Sequence, residues 1–195
     1  MHGTPETSPR TSFNFKIIVV GSYGVGKTSV IRRFAVNQFR EEYIATVGTD
    51  ITKKYVEAGS GPLHPESTLV IWDISGRPRF ESIHRPFVMG ARAAIVVAAQ
   101  DDSDSFFGVE GGKFGHIIGV REWIRIVNWD TPIPTILLVN KADLTENLIP
   151  DRAIKEVVEE TGILGAYPTS YKTGLNIDDV FSTLIGYHSE KFPRD

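Results

Sequence analysis

No cysteine occurs among the 195 residues. Disulfides, thiolate metal centres and a cysteine nucleophile are thereby excluded. Prenylation and palmitoylation of this chain are excluded with them, since both need the thiol. His2 stands where N-myristoylation would require glycine, so no lipid anchor is expected in this chain. No apolar run approaches the length of a membrane span. Met1 to Thr11 is polar and contains proline, and it lacks the apolar centre of a secretion signal. Residues 1–12 therefore read as a flexible tail. Neither sign of charge dominates: 21 basic residues against 24 acidic give −3, which argues against nucleic acid as a partner. The few histidines (His2, His64, His84, His116, His188) share no ligand spacing and carry no metal role.

What is present suits one soluble globular domain. The hydrophobic fraction is 41% and the charged fraction 23%, both ordinary. Short apolar runs alternate with amphipathic stretches, the pattern of an α/β fold. Phe15 to Val20, Ala93 to Ala99 and Pro134 to Val139 are continuous apolar runs suited to buried parallel strands. Asp50 to Glu57 and Ser67 to Trp72 read as an antiparallel hairpin, and a short strand is expected near Gly165 to Thr169. Helices are expected from about Lys27 to Asn37, over Val120 to Asn128, over Pro150 to Thr161 and from Asn176 to about Ser189.

Gly21-Ser22-Tyr23-Gly24-Val25-Gly26-Lys27-Thr28 is the strongest chemical signal. It follows a strand and opens a helix, as a phosphate-binding loop must. Glycines let successive backbone N–H groups turn inward as an anion nest, and the helix offers its positive end to phosphate. Lys27 supplies a compact charge for the β- and γ-phosphates, and Thr28 a hydroxyl for Mg²⁺. That loop announces a nucleoside triphosphate without naming the base. Asn140-Lys141-Ala142-Asp143, at the carboxyl end of a strand, points to guanine. A carboxylate accepts from both the ring N–H and the exocyclic amine of guanine, a donor pair absent from adenine.

With these two motifs in place the chain resembles the Ras-superfamily GTPases over about residues 13 to 190, nearest the Rab branch. Tyr43-Ile44-Ala45-Thr46-Val47-Gly48-Thr49-Asp50 resembles the Rab form of switch I. Ile71-Trp72-Asp73-Ile74-Ser75-Gly76 resembles the strand and glycine that open switch II, and Arg79-Phe80 and Ser82-Ile83 continue the match. Thr169-Ser170-Tyr171-Lys172 resembles the last guanine-binding segment. The resemblance implies an α/β P-loop NTPase of the Ras-like G domain type. Its sheet would be mixed and six-stranded, with five parallel strands, an antiparallel edge strand near residues 50–57 and five helices over both faces. Residues 13–191 would form the single GTPase domain, with 192–195 a short end.

The same resemblance assigns roles. Ser22, Tyr23, Gly24, Val25, Gly26, Lys27, Thr28 and Ser29 would hold the phosphates, and Phe39 would pack on the guanine. Asn140, Lys141, Asp143, Ser170, Tyr171 and Lys172 would form the base site. Thr28, Thr46 and Asp73 would hold Mg²⁺. Thr46 and the Gly76 N–H would contact the γ-phosphate. Lys27, Thr46, Gly76 and Arg77 form the catalytic set. GTP or GDP with Mg²⁺ are the expected ligands. Effectors, an exchange factor and an activating protein would be met through residues 40–50 and 74–90. The expected protein is a monomeric cytoplasmic switch, peripheral to membranes through partners.

Departures from the family pattern matter as much. Arg77 stands where the family has a glutamine that orients the attacking water. Guanidinium offers donors and no acceptor, so slow hydrolysis is expected. The alternative is that another group positions the water. Tyr23 occupies a position that is small in most relatives; it either obstructs a partner's arginine finger or points outward. Asp73 is followed by Ile74-Ser75 in place of the usual Thr-Ala. Two segments look inserted, Ala58 to Glu66 and Val109 to Gly119. The four glycines of the second argue for a loop, and Phe114, Ile117 and Ile118 for its packing on this chain or on a partner. After the last helix only Lys191 to Asp195 remain, which leaves lipid anchoring through a longer tail undecided. The competing functional reading is a GTP-binding interaction module with negligible turnover. An ATPase or kinase is disfavoured by Asn140 to Asp143.

Overall fold

In the computed structural model the described residues are 13–36, 48–57, 66–77, 84–112, 115–145 and 148–191. Eight strands and six helices lie among them. The strands are β1 (Phe13–Val20), β2 (Thr49–Glu57), β3 (Glu66–Ile74), β4 (Ala93–Ala99), β5 (Val109–Gly112), β6 (Gly115–Ile117), β7 (Thr135–Asn140) and β8 (Gly165–Pro168). The helices are α1 (Lys27–Val36), α2 (His84–Val88), α3 (Ser103–Phe107), α4 (Val120–Val127), α5 (Asp151–Thr161) and α6 (Ile177–Lys191).

The main sheet has six strands in the order β2-β3-β1-β4-β7-β8. Only β2 runs antiparallel, pairing with β3 from Thr49↔Ile74 to Glu57↔Glu66. The mixed sheet with one antiparallel edge is the arrangement expected. The contiguous apolar runs explain it: Ile17 to Val20 of β1 and all of β4 are buried on both faces, so these side chains need nonpolar neighbours. Alternate residues serve opposite layers. Ile17 and Val19 join the cluster beneath α1 and α6, whereas Ile18 and Val20 join the one beneath α4 and α5. In the first layer Phe34 of α1 stacks on Phe181 of α6, with ring centres 3.7 Å apart.

Helix count and one segment differ from expectation. Six helices surround the sheet where five were expected, and α2 and α3 are the ones that the sequence pattern does not place; α3 shows why. Its five residues are too few to show a period, and its start is fixed locally: Asp102 accepts the Ser105 N–H at 3.2 Å. Val109 to Gly119 is not wholly loop. β5 and β6 form a small antiparallel ribbon, rooted where Gly108 and Gly119 touch backbone to backbone; a Cβ on Gly119 would lie 2.6 Å from the Gly108 nitrogen. The ribbon packs on its own domain, for Ile118 is buried beside Phe106, Val120 and Trp123.

Candidate functional site

The loops that leave the carboxyl ends of β1, β3, β7 and β8 meet at one edge of the sheet. Lys27, the first residue of α1, is buried and turns its ammonium back onto the Gly21 and Ser22 carbonyls, both at 2.8 Å. Burial pushes its pKa down to about 8, with the charge of Asp73 pulling the other way. Thr28 donates its hydroxyl to the Asp73 carboxylate, so two of the three Mg²⁺ ligands expected from sequence lie together. A hydroxyl and a carboxylate are hard oxygen donors of the kind Mg²⁺ takes alongside phosphate oxygens. Among the described residues no group of three or more His, Asp or Glu is placed to hold a metal. The third ligand, Thr46, and the aromatic Phe39 lie outside the described residues, as does most of the expected switch I.

Gly76 sits directly against the phosphate loop. A Cβ there would come within 2.1 Å of the Gly21 oxygen and 2.8 Å of the Lys27 nitrogen, so any side chain would displace both. Its neighbour Arg77 turns toward the loop as well. The guanidinium carbon lies 5.4 Å from the centre of the Tyr23 ring, and the buried Nε makes no hydrogen bond. The two most unusual residues of the sequence thus form one stacked pair. Tyr23 itself is half exposed. A backbone hydrogen bond from Ser75 N–H to the Gly48 carbonyl, 2.9 Å, joins the start of β2 to the end of β3.

Asn140 ties the base side of the site to the phosphate side. Its amide donates to the Val25 carbonyl at 2.9 Å, and its oxygen accepts the Tyr171 N–H at 3.3 Å. Gly26 makes that approach possible, because a Cβ would stand 2.4 Å from the Asn140 nitrogen. Ser170 donates its hydroxyl to Asp143 at 2.6 Å, and the Thr173 N–H donates to the same hydroxyl. Lys141 adopts a left-handed backbone, φ 64°, and pairs with Asp101 at 2.9 Å. Lys172 is exposed. Ser29 lies in the first turn of α1 and Gly24 at the exposed bend of the loop.

Two contributors escape a reading of the sequence. Asp101 lies 40 residues from the lysine it holds, in an acidic stretch that carries no motif. Ser22 does belong to the motif, but its hydroxyl does not turn to the phosphate cradle; it donates to the Ile118 carbonyl of the inserted ribbon at 2.7 Å.

A model of the Ras family matches residues 16–189. This chain belongs to the Ras family of small GTPases. It is similar to Rab-32 of Homo sapiens, 32% identical over 98% of this chain and 82% of that protein. It is similar also to the Ras-related protein RIC1 of Oryza sativa subsp. japonica, 31% identical over 92% and 82%. The Ypt/Rab-type GTPase YPT7 of Saccharomyces cerevisiae is 27% identical over 91% and 82%. The family member described here is therefore Rab-like, and membership makes it a small GTP-binding switch. No helix among its described residues is long and apolar enough to cross a membrane.

Proposed function

We propose that this Rab-like protein binds GTP and GDP with Mg²⁺, hydrolyses GTP slowly, and meets effectors and regulators through residues 40–50 and 74–90. One observation carries the slow step: Arg77, at the position from which the water would be oriented, presents only donors and is stacked on Tyr23. It cannot accept a hydrogen bond from an attacking water. It can donate to a γ-phosphate, and its buried, unpartnered Nε suits an anion.

The remaining roles follow from position. Lys27 and the loop N–H groups of residues 22–29 neutralise the phosphates, where charge grows during transfer. Thr28, Thr46 and Asp73 hold Mg²⁺, which when bound screens the phosphate oxygens. Gly76 offers its N–H to the γ-phosphate. Asp143, braced by Ser170, selects guanine; Asn140 holds the base loop to the phosphate loop; Lys141, Tyr171, Lys172 and Phe39 border the ring. The γ-phosphate then ties Thr46 and Gly76 in place, and its loss frees both segments. Residues 13–191 carry all of this as one domain, in the cytoplasm and peripheral to membranes through partners.

Single-turnover hydrolysis of loaded GTP tests the proposal. Slow release of phosphate, faster in Arg77→Gln, is expected. Brisk turnover that Arg77→Gln leaves unchanged would overturn it. The same lack of an acceptor at Arg77 favours a second reading, a GTP-bound interaction module with negligible turnover. Retained GTP after purification supports the module, and retained GDP supports the enzyme.

A further inference from the structure

Ser22 lies where three parts of the molecule meet. Its carbonyl accepts the Lys27 ammonium at 2.8 Å. Its carbonyl carbon lies so near Gly76 that a Cβ on that glycine would stand 2.6 Å away. Its hydroxyl crosses to the inserted ribbon and donates to Ile118, 96 residues along the chain, at 2.7 Å. Both residues are buried, Ser22 at 5% and Ile118 at 6% exposure, so water does not compete for the bond.

The ribbon side is built to present that carbonyl. Gly119 caps α4 without a side chain, and the first helical bond runs from the Trp123 N–H to the Gly119 oxygen. The Ile118 carbonyl therefore lies just outside the helical ladder, aimed outward from the helix start. The Ile118 side chain is anchored in the core, and the Gly108–Gly119 crossing closes the ribbon at its root. Loss of the Ser22 hydroxyl would leave a buried acceptor unmatched, which is the costly half of breaking a hydrogen bond.

We propose that Ser22 is a positioning residue through which Ile118, at the foot of the ribbon, braces the phosphate loop and slows nucleotide release. The loop must open for the β-phosphate to leave, and the brace opposes that opening. The Ser22 hydroxyl, already donated to Ile118, acts by holding the backbone between Gly21 and Lys27 in its nested form. The inference rests on guanine nucleotide occupying this loop. Binding of a fluorescent GDP by the unaltered protein is measured first, which separates failure of that reading from failure of the brace.

The test compares fluorescent-GDP release from the Mg²⁺-loaded full chain with release from three variants. Ser22→Ala removes the hydroxyl. A second variant, Ile118→Ala, removes the core anchor that holds the accepting carbonyl. The third carries both changes. About tenfold faster release is expected from Ser22→Ala, the equivalent of one buried hydrogen bond. Ile118→Ala should release comparably faster, and the combined variant no faster than the quicker of the two. Both single variants should also move the ³¹P resonance of the bound β-phosphate. Val157→Ala, which opens the core beneath α5 away from Ser22, should lower Tm and leave release and resonance alone. Release within about twofold of the unaltered protein in either single variant overturns the brace, and so do effects that multiply in the combined one. If Ser22→Ala does not fold, Ile118→Ala decides alone, since it keeps Ser22.

Discussion

Arg77 stacks on Tyr23, its guanidinium carbon 5.4 Å from the ring centre, at the mouth of the phosphate loop. A cation over a half-exposed aromatic contributes about 0.5–1 kcal/mol. A double-mutant cycle over Tyr23→Leu and Arg77→Met, followed by urea unfolding of the GDP form, should return a coupling energy of about that size. Strict additivity would mean that the two side chains do not hold each other.

Asp143 accepts from Ser170 on one oxygen and is otherwise exposed toward the base side. Asp143→Ala should weaken GDP binding by about 100-fold, the loss of a charge-assisted hydrogen-bond pair, while ADP binding stays equally poor. Ser170→Ala, which frees the carboxylate and the Thr173 N–H but keeps the Asp143 charge, should cost about tenfold. Isothermal titration with both nucleotides distinguishes the two. Equal losses for GDP and ADP in Asp143→Ala would remove this residue from base selection.

Lys141 and Asp101 form a partly buried pair that steadies the lysine beside the expected base. Asp101→Asn should raise the Kd for GDP by about threefold to tenfold and spare Tm, because the pair lies at the site edge and not in the core. A fall in Tm with unchanged Kd would make the pair structural.

Phe181 is buried at the centre of the α1–α6 layer, stacked on Phe34. Phe181→Ala should destabilise the fold by about 3–5 kcal/mol, measured by denaturant unfolding at fixed GDP. A cost below about 1 kcal/mol would show that α6 packs only loosely.

Glu160 of α5 accepts from Arg121 of α4 at 2.8 Å, and that guanidinium holds its carboxyl below the ordinary glutamate value. A depressed pKa in the folded state means that the unfolded chain binds the proton first on acidification. The pair therefore contributes above the unfolded pKa and is lost as pH falls through the folded one. In Arg121→Ala the Glu160 carboxyl, followed by NMR, should titrate higher and the α4–α5 tie should no longer depend on acid. An unmoved titration would exclude the bond in solution.

How much of this was readable before the fold? The central strands were, because runs as apolar as Ile17 to Val20 and Ala93 to Ala99 suit strands buried on both faces. The close approaches of Thr28 to Asp73 and of Asn140 to Val25 were implied by motifs whose spacing reflects a shared ligand. What stayed hidden depends on pairs that share no motif. Ser22 and Ile118 lie 96 residues apart, and Asp101 and Lys141 40 apart, and periodicity says nothing about which loop lands on which. The ribbon was obscured by its own glycines, which weaken any strand signal while permitting the tight root.

The Gly108–Gly119 root also bears on chain entropy. Because the ribbon leaves and re-enters the domain at one point, the fold closes that loop whatever its length. Each doubling of such a loop costs only about 0.6 kcal/mol. The segment between Val109 and Ile117 is thus a place where residues can be gained or lost with little effect on folding, while the root keeps Ile118 on the nucleotide loop.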